Sequence, residues 1–327
     1  IAKMRAAMKQ GRDCTVEILN RHKNGSAFWN RLSISPVRDD TGSVTHFIGI
    51  QSDVTARRNA EDALKRANKQ MQRDLEDAAV IQQAWLPTKL PQAAGYNFAW
   101  NFRPCQELAG DGLNILRLDE NHIGVYVLDV SGHGAPAALL SASLNRWLSP
   151  LPEDSCLYEP AKDTANGFAP ASPATVAATL NRRFSLGPKF GKFFTLVYGV
   201  LELPTRKFRY VTAGHPPPVR ISSGGVVNGP LANGVIMGVL PDFEFQEQCL
   251  QLEPGDRLLI YTDGAPEAVD AQDEEWGEER MFAVAADSLN LPLAESLEAV
   301  VRKAEAWCPG NQPQDDVTLV AIEVCDE

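Results

Sequence analysis

The sequence predicts an α+β protein in which a long helix joins a small antiparallel sheet to a larger layered domain. Three observations carry this expectation. Short alternating apolar runs lie between Thr15 and Ile50, the stretch Thr55 to Leu86 holds neither glycine nor proline, and from about residue 95 strand-like and helix-like runs alternate. A length of 327 residues suits about two domains at ~150 residues each.

In the first zone a basic helix, Ala2 to Gln10, precedes strand-like runs at Val16–Leu19, Phe28–Ile34 and Val44–Ile50. Turn signals at Asn24-Gly25 and Asp40-Thr41-Gly42 separate them. In the second zone Leu64, Met71, Ala78 and Trp85 recur every seventh residue, with Ala60, Ala67 and Ile81 in the complementary heptad position. Asp74 interrupts that seam and Leu75 sits beside it, so the register stutters there. Two readings follow: a helix packed on a neighbouring domain, or a parallel homodimer through residues 60–85. Pro87 and Pro91 end the helix.

In the third zone strands are expected at Tyr96–Phe102, Ile123–Val130, Thr195–Leu203, Phe208–Thr212, Arg257–Thr262 and Val317–Val324. Helices are expected at Pro136–Leu148, Ala174–Phe184 and Ser296–Trp307, and Ser149 to Pro173 reads as a long loop. Consecutive strand pairs imply antiparallel sheets with helices on their outer faces. The domain division is therefore 1–55, 56–91 and 92–327.

Apolar residues make up 44% and charged residues 22% of the chain, values of a folded globular protein. The net charge of −11 is uneven: residues 92–327 carry sixteen basic and thirty-two acidic groups. Such a surface repels a phosphate backbone, which argues against nucleic-acid binding, and an excess of carboxylates suits a cation site. No stretch approaches the ~20 apolar residues of a membrane span, and no signal-peptide core follows the N-terminus. Six cysteines (Cys14, Cys105, Cys156, Cys249, Cys308, Cys325) lack metal or redox spacing, so a cytoplasmic, thiol-bearing protein is expected. The chain lacks an initiator Met and reads as a piece of a longer protein.

Acidic residues recur where strand-like runs meet turns. Asp111 lies in Ala-Gly-Asp-Gly, Asp129 ends Val-Tyr-Val-Leu, Asp263 follows Leu-Leu-Ile-Tyr-Thr, and Asp315-Asp316 precede Val-Thr-Leu-Val. A single Asp-Gly after a strand is ordinarily only a turn. Several converging would form an all-oxygen pocket for Mg²⁺ or Mn²⁺, and two such ions lower the pKa of a bridging water and neutralise phosphoryl oxygens. His133 could serve as a proton donor or simply cap a helix, and His215, in Ala-Gly-His-Pro-Pro-Pro, could orient its loop. No Gly-x-Ser-x-Gly or Walker-type loop occurs, which disfavours serine-nucleophile and ATPase chemistry.

Six motifs in order carry a resemblance: Ala-Gly-Asp (109–111), Val-Leu-Asp-Val-Ser-Gly-His-Gly-Ala-Pro-Ala-Ala-Leu-Leu (127–140), Phe-Thr-Leu-Val-Tyr-Gly-Val-Leu (194–201), Thr-Ala-Gly-His-Pro-Pro-Pro (212–218), Pro-Gly-Asp-Arg-Leu-Leu-Ile-Tyr-Thr-Asp-Gly (254–264) and Asp-Asp-Val-Thr-Leu-Val (315–320). Together they resemble the RsbU/SpoIIE-like bacterial branch of the metal-dependent PPM protein phosphatases over about 95–327. Residues 78–87 resemble the helix that precedes the phosphatase in that branch. The resemblance implies an αββα sandwich that removes phosphate from Ser or Thr with two Mn²⁺ or Mg²⁺ ions, typically on a phosphorylated STAS-domain anti-sigma-factor antagonist. It assigns the metals to Asp111, Asp129, Asp263 and Asp315, with the Val130 carbonyl as an added ligand and Asp316 as the substitute if the last motif is shifted by one. Two departures stand out. Gly112-Leu113-Asn114 replaces the branch's aromatic and acidic or polar pattern, which keeps a catalytically inactive signalling scaffold as the alternative reading. Ser131 stands where the wider superfamily has a His, so the leaving-group acid is unassigned. A two-metal phosphodiesterase acting on small molecules is a third reading.

Residues 16–30, 36–42 and 47–55 resemble the C-terminal half of a LOV-type PAS photosensor. The resemblance places Asn20, Asn30 and Gln51 on a flavin edge, whose donors and acceptors an amide can answer. Asn20 and Asn30 share a sheet face only if their hairpin loop is odd-numbered; a two-residue Asn24-Gly25 turn separates them. The family's photoreactive Cys lies on an upstream helix and Cys14 does not match it, so FMN is expected only in a longer parent protein. The combined expectation is a light-regulated phosphatase.

Overall fold

The computed structural model describes residues 2–162, 164, 167–185, 192–230 and 234–325. The chain forms two compact units, Ile1–Asp74 and Leu75–Glu327.

The first unit contains α1 (Ala2–Lys9), β1 (Cys14–Arg21), β2 (Ala27–Arg38), β3 (Val44–Asp53) and the first part of α2 (Thr55–Gln83). The strands form an antiparallel sheet in the order β1-β2-β3. Arg21 pairs with Ala27, so the hairpin loop is the odd-numbered His22–Ser26 and not a two-residue turn. It is closed by the His22 N–H on the Ser26 carbonyl at 2.8 Å. Asn20 then lies opposite Phe28, two residues before Asn30, and Gln51 lies opposite Leu32, two residues after it. With a side-chain period of two, all three amides fall on one face. The start of α2 is tied to this sheet: Glu17 accepts from Arg57 and Arg58 at 2.6 and 2.8 Å, and Arg58 lies over the Trp29 ring. No residue of α2 is buried, and Leu64, Met71, Val80 and Ile81 are exposed.

The second unit continues with β4 (Tyr96–Arg103), β5 (Gly112–Arg117), β6 (His122–Val130), α3 (Ala135–Trp147), β7 (Tyr158–Pro160), β8 (Phe168–Pro170), α4 (Pro173–Arg183), β9 (Phe194–Glu202), β10 (Lys207–Ala213), β11 (Val219–Ser222), β12 (Gly225–Asn228), β13 (Gln248–Gln251), β14 (Arg257–Tyr261), α5 (Glu278–Asp287), α6 (Leu293–Trp307) and β15 (Val317–Val324). Two five-stranded antiparallel sheets form, β13-β10-β9-β6-β5 and β12-β11-β14-β15-β4. One apolar layer, with Leu113, Val127, Val197, Ile260 and Val320, lies between them. Val176 and Leu180 of α4 and Leu144 of α3 pack outside the first sheet, and Met281 of α5 and Val300 of α6 outside the second. This is the expected αββα sandwich.

The loop expected at Ser149 to Pro173 instead carries the β7–β8 hairpin, with Cys156, Leu157 and Ala171 buried in the α3/α4 layer. Residues 163, 165 and 166 of that stretch lie outside the described residues. Pro160 and Pro170 masked the hairpin in the sequence, because proline sits poorly in most strands. Among the described residues no helix is long and apolar enough to cross a membrane.

Candidate metal centre

Antiparallel pairing brings the carboxylates together. The start of β5 lies beside the end of β6 (Gly112 opposite Leu128), which places Asp111 near Asp129. The end of β14 lies beside the start of β15 (Tyr261 opposite Leu319), which places Asp263 near Asp315 and Asp316. Stacking the two sheets faces one pair toward the other. Asp111, 4% exposed, accepts from the Thr262 hydroxyl at 2.9 Å and from the Thr318 hydroxyl.

Two glycines make the approach possible. A Cβ on Gly110 would lie 2.7 Å from the Val130 carbonyl oxygen, and one on Gly264 would lie 2.1 Å from the Asp316 carbonyl oxygen. Both are below any normal contact, so only glycine fits.

Asp315 and its neighbour take different tasks. Asp316 is 3% exposed and spends both oxygens on backbone, accepting from Cys105 N–H at 2.8 Å and Gly110 N–H at 2.7 Å. Asp315 is exposed and accepts from the Asp316 N–H at 2.8 Å. The geometry thus favours Asp315 over the substitute Asp316 as the carboxylate open to a ligand.

The carboxylates strain against one another electrostatically. Burial first, then Asp129 and Asp316, push Asp111 well above the usual carboxylate range, against the hydroxyls of Thr318 and Thr262. Burial, then Asp263, Asp315 and Asp316, raise Asp129 to about 7, offset in part by a hydrogen bond with Asp111. Burial and Asp315 raise Asp263, and burial raises Asp315, where His133 acts in the opposite sense. Crowded carboxylates that resist ionising together are stabilised by a bound divalent cation, and an all-oxygen set suits a hard one. The Cys105 sulfur lies within 4.8 Å of ligand oxygens of Asp315 and Asp316, a proximity that sequence spacing did not reveal. Burial, then Asp316, push this thiol up to about 12, so it stays protonated and adds no soft thiolate.

His133 is exposed and acts on Asp315, which puts it at the rim of the cluster. His215 is buried and bonded to Thr195 and Tyr261. The altered Leu113 and Asn114 stand two and three residues after Asp111. Leu113 packs between the sheets, while Asn114 stands opposite Tyr126 and lines a cavity of about 380 Å³ with Trp85, Asn145 and Arg146. In the first unit, Asn30 is 1% exposed, donates to Gln51 Oε1 at 3.1 Å, and leaves its own Oδ1 without a partner.

Sequence reasoning missed four supporting residues. Thr262 and Thr318 sit inside quoted motifs and carried a signal as hydroxyls one residue before Asp263 and two after Asp316. Gln82 bonds the Ala109 backbone, and Lys192 Nζ donates to the Ser131 carbonyl at 2.6 Å. Those two pairings span 27 and 61 residues and had no local signal.

Comparison with known proteins places these features. Residues 119–325 match the model of the family described as Stage II sporulation protein E (SpoIIE), and residues 1–56 match a PAS domain model. Phosphoserine phosphatase RsbP of Bacillus subtilis is 26% identical over 227 residues, 68% of this chain and 51% of its own, so this chain spans about half the length of that relative. A blue-light-activated histidine kinase of Rhizobium johnstonii is 48% identical over 61 residues, 19% of this chain and 18% of its own. The SiaA-PP2C domain of Pseudomonas aeruginosa superposes with a TM-score of 0.64 at 20% identity, covering 79% of this chain and 98% of that one; it shows the fold.

Proposed function

The chain belongs to the Stage II sporulation protein E (SpoIIE) family, and from that premise we propose that it is a Mn²⁺- or Mg²⁺-dependent serine/threonine protein phosphatase. In this reading Asp111, Asp129, Asp263 and Asp315, with the Val130 carbonyl, hold two ions. The observation that carries it is the convergence of four strand-end carboxylates, all raised in pKa by burial and by neighbouring carboxylates. The ions, when bound, supply an activated water and neutralise the phosphoryl oxygens. The protein's own residues prepare that site. Thr262 and Thr318 aim the Asp111 carboxylate, and Asp316 pins the Cys105–Gly110 backbone. The proposed substrate is a phosphorylated STAS-domain anti-sigma-factor antagonist in the cytoplasm, and the phosphoserine activity named for RsbP supports serine as the phosphorylated residue.

Regulation follows the three-part division 1–55, 56–91 and 92–327: sensor, helical linker, phosphatase. Asn20, Asn30 and Gln51 are the proposed flavin contacts once the rest of the PAS fold is present, and light is the proposed signal. Their shared face, the unpartnered Asn30 Oδ1 and the blue-light kinase relative support this. The exposed Leu64, Met71, Ile81 and Trp85 support a homodimer through residues 60–85.

The test is hydrolysis of p-nitrophenyl phosphate by the full chain with EDTA, Mg²⁺ or Mn²⁺, beside Asp263→Ala. Metal-dependent turnover that the substitution abolishes is expected. A folded protein inert with both metals, and inert toward a phosphoserine STAS protein, leaves the scaffold reading in its place.

A further inference from the structure

We propose that His215 is a positioning residue that sets the separation of Asp129 and Asp263 by bolting their two sheets together, an inference that rests on the metal-site reading above. His215 follows β10 after Gly214, whose φ of +66° turns the chain there; a Cβ on Gly214 would lie 2.7 Å from the Ile236 side chain. The imidazole is 4% exposed. Its Nε2 lies 3.0 Å from the Tyr261 carbonyl oxygen and its Nδ1 lies 2.8 Å from the Thr195 hydroxyl. A carbonyl only accepts, so Nε2 carries the proton, and the neutral ring accepts from Thr195 through Nδ1.

Both partners adjoin the acidic cluster. Thr195 on β9 is the residue directly opposite Asp129 on β6. Tyr261 is the last residue of β14, two before Asp263. The ring therefore joins the sheet that carries Asp129 to the sheet that carries Asp263, at the end where both carboxylates project. On the Asp111 side, the Thr262 and Thr318 hydroxyls make the corresponding tie. A rigid ring with a donor on one edge and an acceptor on the other fixes this distance in a way a flexible chain does not. Groups that hold metal ligands in place typically govern about 10- to 100-fold in metal affinity.

The experiment is Mn²⁺ titration of the metal-free full chain, followed by the EPR signal of free Mn²⁺ with no turnover required. The variants are His215→Asn, His215→Gln, Thr195→Val and Thr195→Ser, each checked for fold by circular dichroism. Gln can present its amide N–H near the Nε2 position and keep the Tyr261 bond, whereas Asn reaches only toward Thr195. The expected result is binding weakened by about tenfold in His215→Asn, His215→Gln and Thr195→Val, each of which breaks one arm of the bridge, with Thr195→Ser close to wild type. Folded His215→Asn and Thr195→Val proteins that bind Mn²⁺ like the wild type overturn the inference and leave the metal site standing. If His215→Asn does not fold, the Thr195 pair decides. A wild type that binds no Mn²⁺ overturns the metalloenzyme reading itself, and this inference with it.

Discussion

The Gln82 carboxamide pairs with the Ala109 backbone in both directions, donating from Nε2 to the carbonyl at 2.7 Å and accepting from the N–H at 3.0 Å. Ala109 is fully buried and stands two residues before Asp111, while the Gly110 N–H between them is held by Asp316. The last turn of α2 thus holds the segment that delivers a proposed metal ligand.

Gln82→Ala leaves both Ala109 groups without their partner, and an unsatisfied buried polar group costs about 1–3 kcal/mol. The expected outcome is a lower melting temperature and a higher Mn²⁺ concentration for half-maximal aryl phosphate hydrolysis. Gln82→Glu, which keeps the acceptor and loses the donor, falls between. A variant with wild-type metal dependence would separate α2 from the site.

The carboxylate cluster makes metal-free stability depend on pH. Asp129 titrates at about 7 in the fold, against about 4 for an unfolded Asp. The folded state holds this proton more tightly, so its contribution is complete below about pH 4 and is lost as pH rises through 7. Calorimetry in EDTA should show the melting temperature falling from about pH 6 to about pH 8. Mn²⁺ should reverse that fall and Asp129→Asn should flatten it. His215, lowered to about 4 by burial, acts in the opposite sense, through stability lost as pH drops below about 6.5, outside most of that window. A wild-type melting temperature that rises across the window would contradict the cluster's electrostatics.

Thr318→Val removes a hydroxyl from the Asp111 carboxylate. Hydrogen bonds to charged groups contribute about 1.5–3 kcal/mol, which corresponds to roughly tenfold or more in metal affinity. Isothermal titration with Mn²⁺ should show that loss, and Thr318→Ser should restore binding. Equal affinities for Val and Ser would mean that the hydroxyl only fills space.

The exposed seam of α2 predicts a dimer. Sedimentation velocity should find the wild type as a dimer and the Leu64→Glu/Met71→Glu chain as a monomer with an unchanged fold. Asp74→Leu, which completes the heptad, should tighten the dimer and shift activity in a light-responsive parent protein. A monomeric wild type at high concentration, or light and dark rates untouched by Asp74→Leu, counts against this coupling.

Much of this was legible in the chain. Near-continuous apolar runs located β6, β9, β10, β14 and β15 within a residue or two at each end, because strands buried on both faces are almost wholly apolar. Four aspartates stood out because each interrupts or borders such a run. The strands β11, β12 and β13 were not legible: at four residues each they are too short to show a period. β5 opens on glycine and carries Asn114, which hid its two inward residues, Leu113 and Ile115.

The sequence by itself determined the layered α+β architecture, the acidic residue types at strand ends and the long uninterrupted helix, because these depend on local composition and period. Only the tertiary structure decided which carboxylates serve the backbone and which stay open. Asp315 and Asp316 are adjacent in sequence at the bend that leads into β15, yet one is exposed and the other is buried on the Cys105 and Gly110 amides. It also decided that Asn20 and Asn30 share a face, through the length of one loop, and that His215 and Gln82 reach Tyr261 and Ala109. These are contacts between segments distant in the chain, made by the stacking of two sheets and the docking of a helix end, and no local pattern encodes such distances.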